Sequence, residues 1–375
     1  MHIFIYLIIF FSFFDLFAQL PIISPFAVEL QATPFLAGLA VGMYSLSNTF
    51  GNILSGVFSD RKGPFAILVT GLVLTALFLF TYSFAEDPYS LLIVRFLHGL
   101  AAGLIIPAAF TYLANRTEQN RRGKGAAVSG AFVGLAAIIG PAYGAISASR
   151  SGVPETMAIT GVMLLILGVF SFFLLNRNVK SGKKLPAGPL SFMMIRRNPG
   201  LLRAFMGAFF LMFSQGVLAY MLPLKVDLLE LPSEMSGLLL SVFGITAILI
   251  FLLPVNRLFD RVKPVYTLIA GFSVMGSSLF LLSAVSAAPL LYVSMICYGI
   301  GFALLFPSIN SLLIDATTER SRGRAYGYFY AFFSIGVVAG SSFTGALALT
   351  ADQGFVTSGV LLLSAAAINL ATLKK

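Results

Sequence analysis

Long apolar runs dominate the chain, and short polar or Pro/Gly breaks separate them. Each run is close to the ~20 residues that a helix needs to cross ~30 Å of hydrocarbon. Marking the breaks gives twelve candidate spans, near residues 3–27, 36–58, 65–84, 89–115, 123–147, 157–175, 201–223, 235–257, 265–285, 289–315, 323–349 and 355–373. Hydrocarbon offers no partner to a backbone N–H or C=O, so only helices and closed barrels can span it. Runs of this length, rather than short alternating strands, select helices. The pattern therefore predicts an all-α membrane protein with twelve transmembrane helices.

Composition agrees with that reading. Of 375 residues, 58% are hydrophobic and 10% charged, whereas a soluble domain carries roughly 25% charged residues. The opening "MHIFIYLIIFFSFFDLFAQLP" has the apolar character of a secretory signal. It lacks a basic start and carries Asp15 inside the run, which favours a first membrane helix. A short extension upstream of this bare start stays open as an alternative. The single Cys297 permits no internal disulfide and falls in an apolar run, where packing is the expected role.

The formal net charge of +10 raises the question of nucleic acid, and the placement of the charges answers it. Numbering the loops alternately puts 21 of the 24 Lys and Arg on one side of the membrane. The other side has only Arg150 and Lys225 against eight acidic residues. Lys/Arg excess marks the cytoplasmic side. Both termini and the 177–200 connection are then expected inside, in a plasma (inner) membrane, with no nucleic-acid partner.

Shifting the chain by 200 residues aligns Asp60, Arg61, Pro64, Leu68 and Gly71 with Asp260, Arg261, Pro264, Leu268 and Gly271. Gly99, Pro107, Arg122, Gly123 and Gly140 likewise fall on Gly299, Pro307, Arg322, Gly323 and Gly340. A repeat of about six spans keeps both copies in one orientation, a parallel duplication about an axis along the membrane normal. The expected organisation is a six-helix bundle over 1–176, a cytoplasmic linker over 177–200, and a second bundle over 201–375, related by a pseudo-two-fold axis.

Three stretches carry a resemblance to a known family. "GVFSDRKGP" (Gly56–Pro64) resembles the major facilitator superfamily motif between helices 2 and 3, matching at Gly56, Asp60, Arg61 and Gly63. "RFLHGLAAG" (Arg95–Gly103) is similar to the R-x-x-Q-G pattern of helix 4 in the drug:proton antiporter branch. His98 stands there in the Gln place, before Gly99. "IGPAYGA" (Ile139–Ala145) resembles the helix 5 antiporter motif at Gly140, Pro141 and Gly144, with Ala145 replacing a glycine. The resemblance implies a twelve-helix transporter whose loop motif, with Asp260 and Arg261 as its echo, latches the inner gate.

The residues themselves add physical expectations. Asp60 before helix 3 and Asp260 before helix 9 are placed to cap a helix start, and Pro64 suits a first helical turn. A turn that merely sets topology is the plainer reading. Glycines four apart in the fifth and eleventh spans allow close helix packing. Only Asp15 and Arg95 lie well inside spans. At ~1.5 Å per residue, they fall ~12 Å and ~9 Å below the outer face, so they could meet. Gln19 and His98 each share a face with one of them. Gln215 and Met295 occupy the equivalent positions in the second half. This asymmetry puts proton coupling on Asp15 and Arg95, with a permanent structural ion pair as the alternative.

Gln19, Asn48, Gln215, Tyr220 and Asn310 are candidates for a substrate cavity, with interhelical hydrogen bonding as the plainer role. No nucleophile triad, metal-ligand cluster or nucleotide loop is present in the sequence. The chain is thus expected to need no metal or cofactor and to be no enzyme. It is expected to act as a monomer on a small molecule, with protons and the bilayer as its other partners. The leading expectation is a proton-coupled exporter of small amphipathic compounds working by a rocker switch. A proton-coupled solute importer and an exporter of a lipid-like or metal-chelating natural product are the alternatives.

Overall fold

Proline stands at the first or second position of seven of the long helices, because in the first turn its missing N–H leaves no hydrogen bond unmade. In a computed structural model describing residues 2–116, 122–175, 198–252, 262–317 and 319–373, these starts divide the chain into fourteen α-helices. They are α1 (His2–Ala18), α2 (Ile23–Glu29), α3 (Pro34–Lys62), α4 (Pro64–Phe80), α5 (Pro88–Ala102), α6 (Ile105–Arg116) and α7 (Arg122–Ser151). There follow α8 (Val153–Leu174), α9 (Pro199–Leu228), α10 (Glu234–Leu252), α11 (Pro264–Ala284), α12 (Ala288–Asp315), α13 (Glu319–Ala346) and α14 (Ala351–Ala371). A single 3-10 turn, Thr81–Phe84, extends α4.

Every expected span falls on one helix or one broken pair. Ten helices among the described residues are long and apolar enough to cross a membrane, or eleven if α1 and α2, bent by 45°, count as one span. The remaining expected span is α3. It is 29 residues long, but Ser45, Ser47, Asn48, Thr49 and Asn52 interrupt its apolar surface. Residues of this kind lower hydropathy yet let membrane helices pack and hydrogen-bond.

The helices form two units. Unit 1 comprises Met1–Lys183 with Pro232–Ser241, and unit 2 comprises Lys184–Leu231 with Val242–Lys375. In unit 1, α1 packs on α7, α3 on α5, and α4 on α8. In unit 2, α9 packs on α13 and α11 on both α12 and α14. The first turns of α10 belong to unit 1 because Gly237 lies against the Pro141 backbone and Ser241 donates to the Ile138 carbonyl at 2.6 Å.

Within each unit apolar side chains face both inward and outward, and the small residues face inward. In α8, Val162, Ile166, Val169 and Phe173 point outward, while Thr160, Gly161, Gly168 and Ser171 pack inward. Lipid is as apolar as leucine, so association comes from close contact of small residues rather than from hydrophobic burial. Gly144 rests on the Ala18 backbone and Gly140 on Phe14 and Phe17. The repeat uses the same device: Gly336 meets Phe209, and Gly340 meets Phe213.

Two sequence expectations change here. Asp60 does not stand just before a helix start, since α3 continues through Lys62 and Gly63 makes the break with φ 83°. Only a residue without a Cβ adopts that backbone readily, and Pro64 then opens α4 with no side-chain cap. Lys225, expected in an outer loop, lies inside α9. It is 2% exposed and 2.5 Å from Asp352. The apolar run ends before the helix does, because this ion pair lets α9 continue.

Candidate functional site

The helix that carries Arg95 and His98 is fixed at its start by a capping box. Asp87 Oδ1 accepts from the Tyr89 and Ser90 N–H groups at 2.7 and 3.0 Å, and Ser90 Oγ accepts from the Asp87 N–H at 3.1 Å. The Ser90 N–H, followed by that of Tyr89, holds the Asp87 carboxyl below the usual carboxylate range. Two turns on, Arg95 and His98 stand on one face, three residues apart.

That face is pressed against α3. A Cβ on Gly99 would run into Tyr44 and Ser47, so α3 and α5 approach closely only because Gly99 has none. The closeness lets Arg95 donate from Nε to the Ala40 carbonyl at 2.8 Å and from Nη2 to the Val41 carbonyl at 3.0 Å. Arg95 Nη1 donates to Gln19 Oε1 and, at 3.4 Å, to the Tyr82 hydroxyl. The guanidinium also lies 5.2 Å from the centre of the Tyr44 ring. A cation at 3% exposure is tolerable when its donors are satisfied in this way.

Asp15 reaches the same cluster from α1, which ends just beyond it. Pro21 supplies no N–H, and the turn at Gln19–Ile22 breaks the helix. Gln19 then folds back, Nε2 donating to the Asp15 carbonyl at 3.0 Å. Asp15 is 2% exposed, and its Oδ2 lies 3.0 Å from His98 Nε2. His98 Nδ1 lies 3.0 Å from the Tyr82 hydroxyl. Asp15 and Arg95 therefore do not pair directly. His98 and Tyr82 stand between them, because the rotation of α5 presents the imidazole, and not the guanidinium, to α1.

The structure thus gathers Asp15, Gln19, Arg95 and His98 in unit 1 and adds Tyr44 and Tyr82. Tyr82 carries no motif and was not singled out in the sequence. One signal could have found it: the 200-residue shift places Leu282 at its position, as it places Gln215 and Met295 at those of Asp15 and Arg95. In unit 2 the equivalent helices are joined by a neutral bond, Ser214 to Tyr298 at 2.8 Å.

The other candidates are dispersed. Asn48 donates to the Gly99 carbonyl at 3.3 Å and accepts from Asn52 at 3.0 Å, so it ties α3 to α5. Asn310 donates to the Phe306 carbonyl one turn back at 2.9 Å. Gln215 is half-buried and Tyr220 buried, both on α9. Gly56 has nothing within 4 Å of its Cβ position. The side chains of Asp60 and Arg61 lie outside the described residues, as do Asp260 and Arg261 altogether. Among the described residues, no group of three His, Cys, Asp or Glu could hold a metal.

The chain is similar to known proteins along most of its length. The sequence profile of the Major Facilitator Superfamily matches residues 5–251 and again 204–375. The chain is 29% identical over 342 residues to "Multidrug resistance protein MdtG" of Klebsiella pneumoniae (strain 342), covering 88% of this chain and 82% of that protein. It is 28% identical over 349 residues to the protein of the same name from Salmonella arizonae, covering 88% and 83%. Among solved structures, a bacterial homologue of the human lysosomal transporter Spinster, inward-facing and occupied, superimposes with a TM-score of 0.83. That match has 12% identity over 100% of this chain and 96% of the other. The nucleoside transporter NupG gives 0.78 and 15% over 100% and 99%. At these identities the structural matches speak for the fold alone.

Proposed function

The chain belongs to the major facilitator superfamily, a family of transporters and not of enzymes, and we propose that it is a proton-coupled exporter of small amphipathic compounds. The observation that carries this reading is the buried carboxylate of Asp15, joined through His98 and Tyr82 to the buried guanidinium of Arg95. An ionisable residue inside a membrane bundle is expensive unless it is used, and proton relays are among its principal uses. Loading a proton onto Asp15 removes its charge, so the balance against Arg95 changes each time the proton enters or leaves. A transporter can convert that change into a preference between two conformations. The unit 2 counterpart, Ser214 with Tyr298, has no charge to change and serves as packing.

Export is supported by the likeness to proteins named for multidrug resistance, which covers most of both sequences. The antiporter-like residues Arg95, Gly99, Gly140, Pro141 and Gly144 support the same direction. The working unit we propose has bundles over 1–176 and 201–375, joined by 177–200. It moves as a rocker switch in the inner membrane with both termini cytoplasmic. The Gly56–Gly63 motif and its echo at Asp260 and Arg261 form the inner latch.

The test is pH-driven movement of a panel of lipophilic cations and neutral dyes in everted vesicles. Wild-type protein is expected to accumulate one or more of them when a proton gradient is imposed. Asp15→Asn and Arg95→Ala are each expected to abolish the dependence on the gradient. Gradient-driven accumulation that survives in both variants would overturn the assignment.

A further inference from the structure

For a neutral ring, one arrangement satisfies the donors and acceptors around His98. Arginine has donors and no acceptor, so at the 3.4 Å contact Arg95 donates and the Tyr82 oxygen accepts. The Tyr82 O–H then needs an acceptor, and His98 Nδ1 at 3.0 Å is the acceptor it has. Nδ1 must therefore be unprotonated. The proton of the neutral ring sits on Nε2 and is donated to Asp15 Oδ2 at 3.0 Å. All three bonds run in one direction, from the cation to the carboxylate. Reversing the ring would leave the Tyr82 proton facing an N–H inside a fully buried site.

Asp15 Oδ1 stands outside this chain of bonds. It is buried and has no hydrogen-bond partner among the described residues. The titratable and charged groups that face His98 are Asp15 from α1, Tyr44 from α3, Tyr82 from the 3-10 turn and Arg95 from α5 itself. Helix α4 brings none, since its sequence contains no titratable residue.

We propose that Arg95, Tyr82, His98 and Asp15 form a hydrogen-bond relay of fixed polarity, in which His98 and Tyr82 are positioning residues that occupy Oδ2 and leave Oδ1 to receive the coupling proton. This rests on the reading of Asp15 as the proton site. Loading forms one O–H bond, between Oδ1 and a proton from the outer aqueous side. It breaks none of the three relay bonds and takes the net charge of Asp15 plus Arg95 from zero to +1. Unloading to the cytoplasmic side is the reverse. The histidine is not itself the carrier, because a proton on Nδ1 would expel the Tyr82 hydroxyl from its acceptor. A glutamine side chain offers the same polarity, N–H toward Asp15 and carbonyl toward Tyr82, and cannot hold an extra proton.

The relay is read by nitrogen NMR of protein carrying isotopically labelled histidine in liposomes. There are two histidines, His2 and His98, so H98Q identifies the His98 signals by their loss. At neutral pH the wild type is expected to show a single neutral tautomer with the proton on Nε2, and Y82F to keep that tautomer while the signal of the unprotonated Nδ1 shifts with the loss of its hydrogen bond. A proton on Nδ1, a doubly protonated ring, or an Nδ1 signal unmoved by Y82F overturns the proposal. The carboxylic-acid infrared band of Asp15, assigned by its loss in D15N, supplies the second reading. Its pH curve is expected to coincide with wild type in H98Q and to be displaced in H98L. Equal curves in H98Q and H98L refute the positioning role. Transport is measured separately: gradient-driven transport persisting in D15N would sink the coupling assignment and leave the relay to be judged by the NMR alone.

Discussion

A methyl group on Gly144 would strike the α1 backbone. Its Cβ would lie 2.7 Å from the Ala18 carbonyl carbon and 3.1 Å from Ala18 Cα, against 3.4–4 Å for ordinary contact. The obstacle is main chain, with the Ala18 carbonyl oxygen nearest of all, so no rotamer change relieves it, and α1 and α7 must part by at least about 0.7 Å at the crossing. Overpacking of this kind costs about 1–3 kcal/mol. For a bundle of unit 1's size that lowers Tm by roughly 2–12 °C. Asp15 is three residues before Ala18, so the same displacement strains its 3.0 Å contact with His98, and gradient-driven transport should fall with stability. Gly56 is the internal control. Nothing lies within 4 Å of its Cβ position, and Gly→Ala at an unobstructed helical site stabilises by about 0.5–1 kcal/mol. One chemical change is therefore expected to act with opposite signs at two positions. The chain has no Trp and one Cys, so unfolding is best followed by a thiol-reactive fluorogenic dye at Cys297. A G144A melting temperature equal to or above that of G56A would refute the close-packing argument.

Three further outcomes follow from the same geometry. In the Lys225–Asp352 pair the two partners differ, Lys225 being 3% and Asp352 43% exposed at the side chain. D352N strands a buried ammonium, whereas K225M leaves a carboxylate that water can reach, so D352N should melt lower and the double variant should recover part of the loss. Asp87 contributes through a carboxyl pKa lowered by the Ser90 and Tyr89 N–H groups. Its stabilisation is present above the ordinary value of 3.8 and is lost as pH falls through the lowered folded value. The gap in melting temperature between wild type and D87A should therefore close in strong acid, and a gap independent of pH would contradict the cap. S214A leaves the buried Tyr298 hydroxyl without its partner and should cost about 1–3 kcal/mol. The pH dependence of transport should be unchanged, and a change would show that unit 2 takes part in coupling.

Much of the fold was legible because lipid leaves few choices. A run of about twenty apolar residues has to be a helix, and the Pro at Pro64, Pro88 and Pro264 announces where a helix begins. The spacing of Gly140 and Gly144 announced a close crossing, and each does meet α1. Two boundaries escaped for local reasons. Apolarity hid the break in the first span at Gln19–Ile22, where Pro21 interrupts the bonding. Lys225 looked like the end of a helix, because the carboxylate that neutralises it is 127 residues away in sequence.

The sequence by itself determined that this chain spans a membrane many times, is built from a duplicated unit, and carries Asp15 and Arg95 in one copy with no charged counterpart in the other. These features follow from hydropathy, helical period and a 200-residue offset, which are properties of the chain read along its length. The tertiary structure alone decided which atoms meet those charges. Spacing put Arg95 and His98 on one face of α5, but the rotation of that helix and the depth of α1 gave the carboxylate to the imidazole. Tyr82 became the link because the turn after α4 folds it back over α5, a contact no periodicity encodes. A hydrogen bond reaches about 3 Å, and a helix turned by one residue swings its side chains by far more than that. Faces are therefore written in the sequence, and partners are chosen by packing.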